Sequence, residues 1–352
     1  MRILVIKLGS IGDIIHTLPS LASIREAMPK AEISWVVEQR SAEILRGNDL
    51  IDDLVEVDTR RLRGAWNLDE ALLDISRQIR HLRRKKLDVS IDFQGLLKSA
   101  LIGQLSGAAR RWGFDKDGLR EPPSRFLLTD TAGTERKGHI IQKNLALASA
   151  ALGFNVSGEK LEFPIFTHEE HGAEAASIAA RAGPNFAILN PAGGWVTKLW
   201  HAEKFGKLAD RLWEEKGVFS IITTGPNETE LAERARTASR LQKLVVEAPT
   251  LKGFYELAKL ARVYVGGDTG PTHLAIAAGV PVVGLFGPTE WWRNGSPDPA
   301  DICVERNDIA CRIDCHRRKC DVWVCMDFGV DDVMNAIDRR LSFVPEPSGL
   351  YV

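Results

Sequence analysis

Two loops constrain what this chain can fold into more than any other feature. They are Gly9-Ser10-Ile11-Gly12-Asp13 near the start and Asp268-Thr269-Gly270-Pro271-Thr272-His273 near the end. Each follows a short apolar run, residues 2–8 and 262–267, and each opens a helix-like run. A strand, a glycine turn and a helix N-terminus together make a polar pocket into which backbone N–H groups point. Two such pockets, far apart in sequence, imply two α/β domains facing each other across a cleft. The first offers a carboxylate able to act as a base. The second is built to hold an anionic donor.

The rest of the chain agrees with this organisation. Residues 33–37 and 89–93 are rich in β-branched side chains and are predicted as strands; 14–28 and 68–87 are predicted as helices. Such alternation implies a parallel sheet covered on both faces. The crossover falls near residues 153–164, giving expected domains of 1–160 and 161–352. A second series follows: strands at 186–190, 219–223, 243–247, 263–266 and 280–286, and helices at 202–216, 228–238, 254–261 and 331–341. The last helix is a candidate to pack back on the N-terminal domain. With 352 residues, both domains can have full cores. A formal net charge of −1 argues against nucleic-acid binding. No apolar run reaches the roughly 18 residues of a spanning helix. The first residues form a strand interrupted by Lys7 rather than a signal peptide, so a cytoplasmic protein with reduced cysteines is expected.

Four segments carry candidate chemistry. Gly9-x-x-Gly12 is neither a dinucleotide fingerprint nor a P-loop. Asp13 is then either a helix-capping carboxylate or a general base at the C-terminal edge of a sheet, where open α/β sheets bind ligands. His16 lies one turn on. In 268–273, Pro271 suits a first helical turn and Gly270 permits close approach, so the exposed N–H groups would receive a phosphate or diphosphate. In 190–200, Gly193 and Gly194 expose backbone amides and Lys198 supplies a positive charge. Glu228 could accept from ribose hydroxyls or simply sit in a helix's first turn.

Basic residues concentrate in the first half. Arg60, Arg61 and Arg63 share a loop, and Arg110, Arg111 and Arg120 follow later. Six basic residues fall within 77–86 with no acid among them, which suits a surface that meets anions. A membrane carrying anionic lipid fits better than nucleic acid, because no stacking aromatics interleave. A solvated helix C-terminus is the alternative. Near the other end, Cys311, Cys315, Cys320 and Cys325 are spaced unlike the usual zinc knuckles. They form either a structural zinc or iron site or a set of reduced thiols.

The strings MRILVIKLGSIGDIIHTLPSL (1–21), RRLRGAW (60–66), LREP (119–122), KLW (198–200), GDTGPTHL (267–274) and GLFGPT (284–289) closely resemble bacterial lipopolysaccharide heptosyltransferases, the ADP-heptose-using enzymes of glycosyltransferase family nine. The middle strings resemble heptosyltransferase I more than heptosyltransferase II. The resemblance implies a GT-B architecture of two Rossmann-like domains. It implies that the N-terminal domain takes Kdo-lipid A and the C-terminal domain takes ADP-L-glycero-D-manno-heptose. It implies Asp13 as catalytic base, Lys198 on the phosphates and Glu228 on the ribose. Asp268, Thr269, Gly270 and His273 then hold heptose and diphosphate, and Arg60, Arg61, Arg63, Arg120 and His139 hold the acceptor. Gly193 and Gly194 stand where the type I enzymes usually carry hydroxyls, so those contacts pass to the backbone. The cysteine segment departs from the type I pattern and is similar to relatives that modify proteins with heptose and bind iron.

The expectation is therefore an inverting, metal-independent heptosyltransferase without a catalytic cofactor, peripheral to the cytoplasmic face of the inner membrane. Heptosyltransferase II, a protein heptosyltransferase, another GT-B nucleotide-sugar enzyme such as an epimerase, and a non-catalytic nucleotide-sugar-binding protein are the alternatives.

Overall fold

The computed structural model describes residues 1–61, 68–156, 161–225, 228–313 and 315–343. The chain divides into two compact units, Met1–Phe166 and Thr167–Val352.

In the first unit the strands are β1 (Arg2–Ile6), β2 (Glu32–Glu38), β3 (Asp53–Val57), β4 (Val89–Asp92), β5 (Arg110–Phe114) and β6 (Asp130–Ala132). All pair in parallel, in the order β3-β2-β1-β4-β5-β6. The helices are α1 (Ile11–Ile15), α2 (Leu18–Ala27), α3 (Leu68–Arg84), α4 (Leu97–Leu105) and α5 (Ile140–Leu152). β1 is almost wholly apolar because helices cover both faces of a parallel sheet. Leu4, Ile6, Val36, Leu82 and Ile102 form one side of its core. The single helix expected over 14–28 is two helices. Pro19 has no N–H to continue the ladder, so α2 starts afresh there. Thr17 Oγ1 donates to Asp13 O at the break (2.9 Å).

The second unit repeats the plan. Its strands are β7 (Phe186–Asn190), β8 (Phe219–Thr223), β9 (Leu244–Glu247), β10 (Val263–Gly267), β11 (Val282–Leu285) and β12 (Ile302–Val304). They run in the order β12-β11-β10-β7-β8-β9. Its helices are α6 (Glu169–Ala182), α7 (Ala202–Lys216), α8 (Thr229–Ala238), α9 (Leu251–Leu260), α10 (Gly270–Ala278), α11 (Trp291–Asn294) and α12 (Val330–Ser342). α12, a candidate to return to the N-terminal unit, spends its buried face on the C-terminal core. There Val333, Met334 and Ile337 join Trp200 and Phe205.

Counted from its own first strand, each sheet has the order 3-2-1-4-5-6 of a doubly wound fold. The order reverses between β1 and β4 and again between β7 and β10. Ligands of open α/β sheets bind at such switch points, beyond the carboxyl ends of the strands. The Asp13 loop leaves β1, and the Asp268 loop leaves β10. Chain topology alone thus carries both glycine loops to binding edges. No helix among the described residues is long and apolar enough to cross a membrane.

Candidate active site

In the first unit Asp13 occupies the third position of α1. Its Oδ2 accepts from Ser10 N at 3.0 Å, so the capping role is real. It is not the whole role. Arg120, 107 residues away, donates from one terminal nitrogen to Oδ1 (2.7 Å) and from the other to Oδ2 (3.3 Å). Burial would raise the Asp13 carboxyl, but the Lys7 and Arg120 charges outweigh it and hold the group well below the usual carboxylate range. The carboxylate is ionised at neutral pH and fully occupied by a guanidinium.

Beneath it lies a buried ionic floor that sequence reasoning passed over. Lys7 is 1% exposed and donates from Nζ to Phe93 O (2.6 Å). Burial brings its pKa down to about 8, against the opposing pull of Asp13. At the end of β4, Asp92 accepts from Gln94 N (2.8 Å), Gly95 N (3.2 Å) and Ser99 Oγ (2.8 Å). Gln94 Oε1 in turn accepts from Leu8 N (3.0 Å) and Gly9 N (3.3 Å), fixing the glycine loop. Gly9 has φ of +146°, and a Cβ there would meet Ser41 Oγ at 3.0 Å, so only glycine makes this turn without strain. The signal available in sequence was a lysine inside an otherwise apolar strand.

Burial pushes Asp92 up to about 6, despite its three donors. A carboxyl raised above its unfolded value favours the native state while protonated. That contribution is lost as pH rises from about 4 through about 6. Ionised Asp92 therefore costs on the order of 3 kcal/mol at neutral pH. Asp92→Asn keeps the two backbone hydrogen bonds, and Ser99 Oγ can donate to Leu96 O instead (2.8 Å). The variant should gain about 1–2 kcal/mol of stability over the parent at pH 8 and little at pH 4. Urea unfolding at the two pH values measures this. An equal change at both would show that Asp92 is not titrating there.

The residues expected on the acceptor side are only partly brought together. Arg120 is on Asp13. His139 caps α5, its Nδ1 accepting from Ile141 N (3.2 Å), and its ring meets His16 edge-on at 6.0 Å. Arg61 instead pairs with Asp58 (3.4 Å) and Asp74 (3.6 Å). Arg60 is exposed, its backbone N–H donating to Asp58 Oδ1 (3.1 Å). Arg63 lies outside the described residues. The loop of Arg60 and Arg61 is tied to the start of α4 through Glu38, which accepts from Thr59 N (3.2 Å) and Lys98 Nζ (3.0 Å).

In the second unit the two loops at the switch point meet. Lys198 Nζ, from the loop after β7, reaches Asp268 Oδ2 at 2.6 Å and Asp268 O at 3.2 Å. His273 Nε2 lies 3.3 Å from Asp268 Oδ1. Burial would raise Asp268, but His273 and Lys198 hold it well below the usual range. Thr269 is the N-cap of α10, and Pro271 stands in its first turn, so the positive end of the helix dipole lies in the same loop as Asp268. Below, Thr272 Oγ1 donates to Gly267 O and meets the Tyr264 hydroxyl at 2.9 Å. The Trp195 ring lies 4.3 Å from Lys198 Nζ and 5.1 Å from the Arg318 guanidinium. Gly194 has open space where a Cβ would stand, whereas a Cβ on Gly193 would meet Leu199 at 2.7 Å. Glu228 caps α8 and accepts from Gly225 N at 3.0 Å, so its carboxylate is folded onto its own loop.

The cysteine segment requires a correction. Cys311, Cys315, Cys320 and Cys325 line one cavity of about 50 Å³, and none of the five thiols is in a disulfide. Yet among the described residues no group of three or more His, Cys, Asp or Glu is placed to hold a metal ion, so the expected zinc or iron is unsupported. The segment has another source of order. Arg312, buried, donates to Gly287 O (3.1 Å) and Glu305 (2.6 Å), and Met326 enters the core. Trp323 Nε1 donates to Thr197 O (3.0 Å) and Thr197 Oγ1 to Arg317 O (2.7 Å). The cysteine-bearing loop is a buttress behind Lys198.

Comparison with known proteins bears on the family and the fold. The model of glycosyltransferase family 9 (heptosyltransferase) matches residues 75–323. Lipopolysaccharide heptosyltransferase 1 of Pseudomonas aeruginosa is 31% identical over 293 residues, 82% of this chain and 79% of that protein. Among solved structures, E. coli heptosyltransferase WaaC with ADP is 24% identical with a TM-score of 0.80, covering 97% of this chain and all of that one. The same enzyme with ADP-2-deoxy-2-fluoro heptose gives 23% and 0.77, covering 96% and 99%. These likenesses show the GT-B fold.

Proposed function

Because the chain belongs to glycosyltransferase family 9, and is thus a glycosyltransferase, we propose that it moves L-glycero-D-manno-heptose from ADP-heptose to Kdo of the lipopolysaccharide inner core. The observation that carries this reading is the meeting of Lys198, Asp268 and the α10 N-terminus at the second switch point. A lysine and a helix dipole answer a diphosphate, and a buried carboxylate beside them answers sugar hydroxyls. The similar enzyme solved with ADP and with an ADP-heptose analogue supports the choice of donor.

In this reading Asp13 removes the proton from the Kdo hydroxyl as that oxygen bonds to the anomeric carbon. The bond from that carbon to the diphosphate oxygen breaks on the opposite face, which inverts the centre. ADP leaves with the electron pair. Its growing charge is met by Lys198 and the α10 amides, so no metal ion is needed. Asp13 is a poor proton acceptor while Arg120 binds both its oxygens and the carboxyl is held well below the usual range. The acceptor's own carboxylates and phosphates are the natural competitors for that guanidinium, so acceptor binding readies the base. Such an acceptor places the enzyme at the cytoplasmic face of the inner membrane.

The test is ADP release from ADP-heptose with and without Kdo-lipid A. Release that depends on the acceptor supports the proposal, and acceptor-independent or absent release overturns it. Turnover should also survive EDTA unchanged; restoration by magnesium of a chelated, inactive enzyme would remove metal independence. Arg60→Ala and Arg120→Ala should raise the acceptor KM, by on the order of tenfold for a lost charge-assisted contact, and leave donor affinity alone. Added salt should weaken acceptor binding by the parent enzyme. A fall in donor affinity instead would mean that the two units' roles are reversed.

A further inference from the structure

Helix α4 leaves most of its large apolar side chains uncovered. A surface helix normally turns its large apolar side chains to the core. α4 turns Ser99, Ala100, Ile102 and Gly103 inward, so Ile102 is its one large apolar side chain in the core, and it turns three leucines outward. Leu97, Leu101 and Leu105 recur every fourth residue and so lie on one stripe; they are 43%, 45% and 36% exposed. The short 3₁₀ turn Pro122–Leu127 packs beside α4 and adds Phe126, 88% exposed. Four large exposed apolar side chains thus fall on two elements that pack side by side, unlike a scatter of single exposed residues.

The surroundings of the stripe are basic. Arg83 donates from Nε to Leu105 O (2.8 Å) and Arg125 donates to Leu128 O (3.2 Å). Both use backbone acceptors, so their charges are not neutralised by a carboxylate through these bonds. The stripe also begins at the active site. Leu97 N donates to Glu121 Oε2 (2.7 Å) and Glu121 N to Gly95 O (3.0 Å), next to Arg120 and the end of β4.

We propose that the stripe of Leu97, Leu101, Leu105 and Phe126, with Arg83 and Arg125 beside it, is the face that enters an anionic lipid bilayer. Apolar side chains at the level of the acyl boundary, with arginines at the headgroups, are the composition by which a protein lies on a membrane without crossing it. This rests on the proposed function in one respect. A lipid-borne acceptor held in the same bilayer would present its sugar at the end of the stripe, beside Asp13 and Arg120.

The test is cosedimentation of the full chain with vesicles of phosphatidylethanolamine containing about 30 mol% phosphatidylglycerol, against vesicles of phosphatidylcholine. Neither donor nor acceptor is present, so the outcome is independent of whether the chain transfers heptose. The parent should bind the anionic vesicles and release with salt. Leu101→Ser with Phe126→Ser should weaken binding at least about tenfold. An unchanged melting temperature is expected, because both side chains are exposed. Arg83→Gln with Arg125→Gln should weaken anionic binding and flatten its salt dependence. On a deacylated, water-soluble acceptor the serine variant should turn over like the parent, and on vesicle-embedded Kdo-lipid A it should lose at least about tenfold in kcat/KM. Parent-like vesicle binding by the serine variant overturns the proposal. So does a chain that ignores lipid but sediments as a dimer that these substitutions dissociate.

Discussion

Asp13→Asn should lower turnover by about 10²–10⁴-fold, the range for losing a general base. ADP-heptose affinity should stay near that of the parent, since Lys198 and Asp268 belong to the other unit. Asparagine keeps the volume and can still accept from Ser10 N, so α1 remains capped. What changes is the charge. Arg120 loses a bidentate partner, and the buried Lys7 loses the carboxylate that favours its protonated form. Asp13 is held below the usual range, so its contribution to stability is present above about pH 4 and lost as pH falls through its lower folded value. The variant should therefore melt lower than the parent at pH 7, with the gap closing in acid. Steady-state ADP release and melting curves across pH measure both effects. Parent-like turnover would remove Asp13 from the mechanism, and a pH-independent gap in melting temperature would remove the ionic account of its environment.

Lys198→Ala should weaken ADP itself by about 10–100-fold, as expected for one charge-assisted contact to phosphate. Asp268→Asn should leave ADP affinity unchanged or tighter, because it releases Lys198 from a partner at 2.6 Å. It should nonetheless lower turnover, because the heptose hydroxyls lose their carboxylate. Truncating one member of a buried pair strands the other. Lys198→Ala leaves Asp268 with His273 alone, so a loss of stability should accompany the loss of affinity. Calorimetry with ADP on both variants, beside their melting temperatures, separates the effects. Equal losses of ADP affinity would show that Asp268, not Lys198 alone, holds the diphosphate.

The candidate-site residues most legible in the sequence sit in strand–turn–helix segments a dozen residues long. Asp13, Asp268, Thr269, Gly270 and His273 all follow a strand and open a helix, and local pattern suffices to place them there. Lys198 was legible for a similar reason, in a glycine loop after β7. The arginines were less so. A run of basic residues suits a surface to anions, but does not tell which member reaches Asp13. Arg120 does, while Arg61 is engaged by Asp58 and Asp74. Cysteine spacing left a metal site and reduced thiols both open; four thiols line one cavity, but no group among the described residues is placed to hold a metal ion. The segment is ordered instead by Arg312, Trp323 and Met326.

The sequence by itself determined the repeated doubly wound plan and the placing of a glycine loop at the edge of each sheet. Apolar periodicity and turn chemistry act over a few residues, and the right-handed crossover leaves few other arrangements for alternating strands and helices. Only the tertiary structure decided what surrounds those loops. The Asp13–Arg120 pair joins residues 107 apart, and the floor under it combines Lys7, just past the end of β1, with Asp92 at the end of β4. It likewise decided that three leucines of α4 face outward, while Ile102 enters the core and Gly103 lies close against the sheet. A Cβ on Gly103 would already meet Ser90 Oγ at 3.2 Å and Ile6 Cδ1 at 3.3 Å. Desolvation, ion pairing and the fit of a helix to its sheet are properties of neighbours in space, and no spacing along the chain encodes them.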